Sequence, residues 1–180
     1  KKKKNYFMSV KKIKSVQLTT GVQSMQIDDI FSNDFTLYKI VGVGIVGQNS
    51  TDTATNIRLV KASDGSVESG SIYEYAIYNL KADSSFSDSE TTSDTRWFNT
   101  FGGSDDSGRA GNGVVYVGNP FQAFSSACIW EATEYNSDNH RSRWGIGRIQ
   151  NTTSYDGIVV DMNESASRIG GGKLVVYGIL

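Results

Sequence analysis

Short runs of β-branched and aromatic residues, each closed by Gly, Asn, Asp or Ser, recur along the whole chain, and no long stretch repeats its apolar positions at helical spacing. The alternation is clearest in Ile13, Val16 and Leu18, in Ile57 and Leu59 set against Asn56 and Arg58, and in Tyr73, Tyr75 and Ile77 set against Glu74, Ala76 and Tyr78. A period of two places one side of each segment in a core and the other in water, as in an antiparallel sheet. The pattern predicts strands near residues 6–10, 13–19, 22–27, 35–46, 55–61, 71–78, 113–117, 124–132, 143–150, 157–162 and 173–179. Residues 81–112 and 133–143, rich in Ser, Asp, Thr, Gly and Asn, read as long exposed loops.

These elements fit one all-β domain, an antiparallel β-sandwich of jelly-roll type with long polar loops. A length of 180 residues suits a single sandwich, and 19 Gly with 1 Pro supply turns without breaking strands. The predicted organisation is a basic N-terminal arm over residues 1–12 followed by the sandwich over residues 13–180.

Charge changes the picture at the N-terminus. Seven of the 18 basic residues fall within the first fourteen positions, which hold no acid, so the remainder carries eleven bases against 19 acids. Such an arm can meet nucleic acid, an anionic membrane or an acidic neighbouring subunit. Lys1, Lys2, Lys3, Lys4, Lys11 and Lys12 are its candidate contact residues for assembly with neighbouring subunits, nucleic acid is not expected, and the alternative is a solvated terminus. No apolar run approaches the roughly 18 residues that span a bilayer, and the lysines are not followed by the apolar stretch of a secretory signal, so membrane insertion is not expected. A lone Cys128 and a lone His140 cannot make an ordinary zinc site.

Several motifs suggest chemistry that their context does not support. Gly42-Val43-Gly44-Ile45-Val46-Gly47 spells a dinucleotide fingerprint, but polar turn residues follow it where a helix is required, so the glycines read as a bent or closely packed strand. His140 has no nucleophile elbow to serve and reads as an exposed loop residue. Glu131 and Glu134 could flank a glycosidic bond beside Trp130 and Tyr135, although any acidic β-protein offers such pairs. Asp52, Asp105 and Asp106 lack the spacing of a calcium loop. No cofactor, metal or enzymatic activity is therefore expected. Trp97, Phe101, Trp130, Tyr135 and Trp144 are the candidate rings for contact with a glycan or a partner protein.

Asp29-Ile30-Phe31-Ser32-Asn33-Asp34-Phe35-Thr36-Leu37-Tyr38-Lys39-Ile40-Val41, Tyr155-Asp156-Gly157-Ile158-Val159-Val160 and the closing Gly172-Lys173-Leu174-Val175-Val176-Tyr177-Gly178-Ile179 resemble the jelly-roll modules of tailed-phage virion proteins. Tyr73-Glu74-Tyr75 adds to the likeness, which spans about residues 13–180 and extends to fibres, spikes and surface proteins, especially of marine phages. The resemblance implies that the opening strand pairs with the closing one. It also implies a non-enzymatic structural role at the virion surface, as a capsid- or tail-associated fibre, decoration or assembly protein, with other virion proteins as partners and homo-oligomers expected. The alternative it leaves open is a receptor-recognition domain of a tail fibre or spike that binds host-surface glycan. Its motifs form core and carry no catalytic residues: Phe31, Tyr38, Ile40, Ile158, Val160, Val175 and Tyr177 are expected in the interior.

Overall fold

The computed structural model describes residues 9–48, 55–82, 85–103, 109–135, 140–162 and 166–180. Among these residues it is built from strands alone: β1 (Val10–Gln17), β2 (Ser24–Ile27), β3 (Leu37–Gln48), β4 (Thr55–Lys61), β5 (Tyr73–Lys81), β6 (Phe86–Asp94), β7 (Trp97–Phe101), β8 (Gly111–Gly118), β9 (Ala127–Tyr135), β10 (His140–Ile149), β11 (Tyr155–Met162) and β12 (Arg168–Ile179). They form two antiparallel sheets. The larger has eight strands in the order β1-β12-β3-β8-β9-β10-β5-β6, and the smaller has four in the order β2-β11-β4-β7.

The ribbon β3, β4, β5 pairs step by step with β12, β11, β10, changing sheet at each step, and this is the winding of a jelly roll. Residues 37–43 pair with 173–179 in one sheet, so the opening and closing segments are neighbours as the resemblance implies. Between the sheets lies a core led by Trp97, Tyr38, Tyr73, Tyr155 and Phe101. Its polar tips are satisfied: the Ser32 N–H donates to the Tyr38 hydroxyl at 2.7 Å, which donates to the Ser32 carbonyl at 2.8 Å. The Leu59 N–H likewise donates to the Tyr73 hydroxyl at 2.8 Å.

The glycine fingerprint lies inside β3. Pairing with β8 slips between Gly42 and Ile45, Gly44 takes φ +67° at the slip, and the Phe101 ring lies where a Cβ on Gly42 would go. The strand bends there and packs closely, with no helix after it.

Four expectations need correction. The stretch 81–112 is no single loop, because β6 and β7 lie within it and β8 begins at Gly111. Of 133–143, residues 133–135 close β9 and residues 140–143 open β10. The arm boundary falls inside a strand: β1 begins at Val10, so Lys11 and Lys12 belong to a sheet edge that pairs with β12. Finally, Val175 and Tyr177 are only half-buried and face away from the core, because β12 alternates and its inward positions are Leu174, Val176 and Gly178. Lys1 to Lys4, Asp52, Asp105 and Asp106 lie outside the described residues.

Candidate binding face

The side of the eight-stranded sheet turned away from the core carries an unusual load of exposed apolar side chains. Cross-strand pairing lines them up in rows. One row runs Lys12, Tyr177, Lys39, Tyr116, Ile129, Ile146, Ala76, Glu90, and a second runs Ser15, Val175, Val41, Val114, Glu131, Trp144, Tyr78, Asp88. Within these rows Ile129 is 56% exposed and Ile146 61%, with Trp144 and Tyr78 at 45% each. An inward residue would have been buried by the smaller sheet, but these outward positions meet no covering layer among the described residues.

Trp144 and Tyr78 stand opposite one another on β10 and β5 with ring planes 7° apart and centroids at 6.4 Å, an offset pair. Phe86 on β6 adds a third ring, 5.9 Å from Tyr78. Beside them a groove of about 810 Å³ crosses β6, β5, β10 and β9, floored by Ala76, Ile129 and Ile146. A smaller hollow of about 350 Å³ continues it over Tyr78 and Trp144, where Asp88 and Glu90 form the acidic rim.

The groove's polar wall is a fixed charge pair. The Arg148 guanidinium grips both oxygens of Glu74, its Nε donating to Oε2 and its Nη2 to Oε1, and the Gln150 amide donates to Oε1 at 2.5 Å. Those donors hold the Glu74 carboxyl below its ordinary range, Arg148 first and Gln150 second, and Glu74 in turn raises Arg148. Both ions are thus kept charged and oriented at the groove mouth. On the buried side of β5, Tyr75 is pushed up to about 12, chiefly by desolvation and then by Asp94.

The five rings expected at a binding surface part company. Trp97, Phe101 and Trp130 are core residues, 0%, 0% and 3% exposed, so they pin strands and offer no face to a ligand. Tyr135 is half-buried and stacks on His140 at 4.5 Å, which gives that exposed histidine a ring neighbour at the head of β10. Trp144 alone joins the exposed groove, while Tyr78, Phe86, Ile129 and Ile146 were not legible as contact residues from the sequence.

Glu131 and Glu134 cannot share a substrate bond. Three positions apart on β9, they project from opposite faces: Glu131 stands exposed beside Trp144, and Glu134 is buried against Arg143 at 2.5 Å. A further polar hollow of about 210 Å³, on the outside of the four-stranded sheet, is closed by Asp161. Its carboxylate accepts from Arg58 Nε at 2.7 Å, Asn56 Nδ2 at 3.0 Å and Arg96 Nη1 at 3.5 Å, which ties β11 to β4 and to the start of β7. Among the described residues no cluster of three His, Cys, Asp or Glu could hold a metal ion. Cys128 is buried and its thiol is pushed well up by desolvation, which keeps it protonated.

No family model matches the chain, and no curated protein matches it. Among solved structures, a fructofuranosidase of Schwanniomyces occidentalis complexed with fructosylnystose aligns with 95% of this chain at 6% identity and TM-score 0.26; the chain spans 34% of that enzyme's length. The SPRY domain of human HERC1 aligns with 78% of the chain and 79% of its own length at 8% identity and TM-score 0.27. The CBM2 module of an evolved Dit from Lactobacillus casei BL23 phage J-1 aligns with 87% of the chain and 68% of its own length at 9% identity and TM-score 0.23. At TM-scores this low the likenesses settle neither family nor activity.

Proposed function

We propose that this chain is a non-enzymatic structural module of a bacteriophage virion, displayed at the particle surface, and that the outer face of its eight-stranded sheet holds a neighbouring virion protein. The virion setting is supported by the residues of the phage resemblance, whose opening and closing segments pair as β3 and β12. One observation carries the contact role: Ile129, Ile146, Tyr78, Trp144 and Phe86 lie exposed together on a single face, and contiguous apolar surface rimmed by charge marks interaction sites. Ile146→Glu puts a carboxylate in the middle of that face without touching the core. Particles assembled with this variant are expected to lose the module at unchanged melting temperature. Full incorporation would overturn the assignment of the face.

A glycan-binding role is favoured by a different observation, the offset Trp144/Tyr78 pair with Glu131, Asp88 and Glu90 around it. A ring face gives apolar contact to a sugar and carboxylates accept from its hydroxyls. Under this reading Trp144→Ala abolishes binding to host-surface polysaccharide on a glycan array. Absence of any array signal for the unaltered chain leaves the protein-contact reading in place.

A further inference from the structure

The two edges of the eight-stranded sheet are oppositely charged. On one side β1 carries Lys11, Lys12 and Lys14 with no acid, and on the other β6 carries Asp88, Glu90 and Asp94 with no base. Lys11, Lys12, Asp88 and Glu90 are all exposed, and neither strand has a second strand partner among the described residues. The first cross-strand row of the outer face begins at Lys12 and ends at Glu90.

An edge strand presents unpaired N–H and C=O groups, and lysines often serve simply to keep other chains away. That purpose is best met by one sign of charge on both edges. Here the signs differ, so β1 repels β1 and β6 repels β6, whereas β1 attracts β6. Direction agrees with charge. Every neighbouring pair in this sheet is antiparallel, and with eight strands the two edge strands run in opposite senses. A second copy placed in the same orientation therefore offers its β1 antiparallel to β6 of the first.

We propose that copies of this chain associate head to tail, the acidic edge β6 of one copy pairing antiparallel with the basic edge β1 of the next, so that the sheet continues across the junction. Because the contact joins unlike surfaces, it produces a ring if the rotation closes and a filament if it does not. The choice of partner rests on the assembly role proposed above.

Sedimentation velocity of the full chain tests it. The unaltered chain is expected to associate at low salt and to fall back toward monomer as salt screens the edges. A variant with Lys11→Glu and Lys12→Glu has two acidic edges, and one with Asp88→Lys and Glu90→Lys has two basic edges; each alone should lose association, and an equimolar mixture should regain it. Backbone amides of β1 and β6 should gain protection from hydrogen exchange on association. A chain that stays monomeric at low salt, reversals that leave association unchanged, or a mixture that stays monomeric overturns the pairing. A monomeric chain that particles still incorporate through its sheet face would overturn the pairing alone and leave the assembly role standing.

Discussion

Gly145 on β10 lies directly opposite Trp130 on β9, and the indole occupies the space a side chain at 145 would need: a Cβ there would fall 2.1 Å from ring atoms Cε2 and Cζ2. The glycine is required for room, since the ring covers its backbone, and this is what allows a tryptophan to sit 3% exposed in the middle of a sheet. Gly145→Ala must push the ring or split the strand pair. We expect a loss of about 1–3 kcal/mol, the usual range for overpacking a core, read as a lower denaturation midpoint with changed near-ultraviolet circular dichroism. A midpoint within error of the unaltered chain would mean that Trp130 has another place to go.

The two kinds of tryptophan should separate cleanly. Trp97 is fully buried, its ring meets Tyr73 edge-on at 5.6 Å and its indole N–H donates to the Arg148 carbonyl at 3.3 Å. Trp97→Ala is expected to cost about 3–5 kcal/mol. Trp144→Ala loses a half-exposed ring and one offset aromatic contact, so a cost below about 1.5 kcal/mol is expected. Urea titration of both variants checks the ordering, and a larger loss for Trp144 would contradict the burial of Trp97 and the exposure of Trp144.

Much of this fold was legible because alternation and composition agreed. The strand expected at 55–61 is β4 with the same bounds, and the pairing of the opening with the closing segment, implied by their resemblance, is that of β3 with β12. What escaped has physical reasons. β6, Phe-Ser-Asp-Ser-Glu-Thr-Thr-Ser-Asp, is an edge strand wet on nearly all sides, so it has no apolar period, and its composition is that of a loop. β7 holds Trp97 and Phe101 within a polar stretch, and those large rings were the available sign that the stretch returns to the core. The exposed apolar face was hidden by the same rule that revealed the strands: alternation shows that two faces exist but not which one is covered. Val175 and Tyr177 were therefore assigned inward, and Ile129 and Ile146 look like core residues in any sequence reading.

Two acids should move stability in opposite directions with pH. Asp156 is raised above its ordinary range by burial, then by Asp28 and Asp29, and its Oδ1 has no hydrogen-bond donor among the described residues. Because the folded value exceeds the unfolded one, the ionised carboxyl is a penalty present at neutral pH and relieved as pH falls through the folded value. Asp156→Asn is expected to raise the melting temperature at neutral pH and to change it little in acid. Glu74, held down by Arg148, contributes stability that is present above its unfolded value and lost as pH falls through the lowered folded value. Glu74→Gln should thus lower the melting temperature at neutral pH, weakly because the pair is exposed and screened by salt. Calorimetric scans of the two variants across the carboxylate range check both signs.

Truncation at the N-terminus distinguishes the lysines that belong to the sheet from those that precede it. Removing residues 1–12 deletes Val10, Lys11 and Lys12, which pair with Ile179, Gly178 and Tyr177, and so strips the end of β12 of its neighbour. Those lost backbone partners are re-solvated by water, but the half-buried Tyr177 loses cover on its β1 side. Residues 1–8, which carry Lys1 to Lys4, precede β1 in sequence. We therefore expect the shorter deletion to leave the melting temperature unchanged and the longer one to lower it. Association should respond to both, for separate reasons: the shorter deletion removes four positive charges that precede β1 in sequence and so weakens attraction to β6 at low salt only, since charge contacts in water are screened over about 8 Å at physiological ionic strength. The longer deletion also removes part of the edge itself, so its association should be weaker than that of the shorter deletion at every salt concentration where the unaltered chain associates. Melting curves and sedimentation of the two truncated chains, each across a salt series, read the two effects independently. If the longer deletion melted like the unaltered chain, Val10 to Lys12 would be held too loosely to serve as a sheet edge.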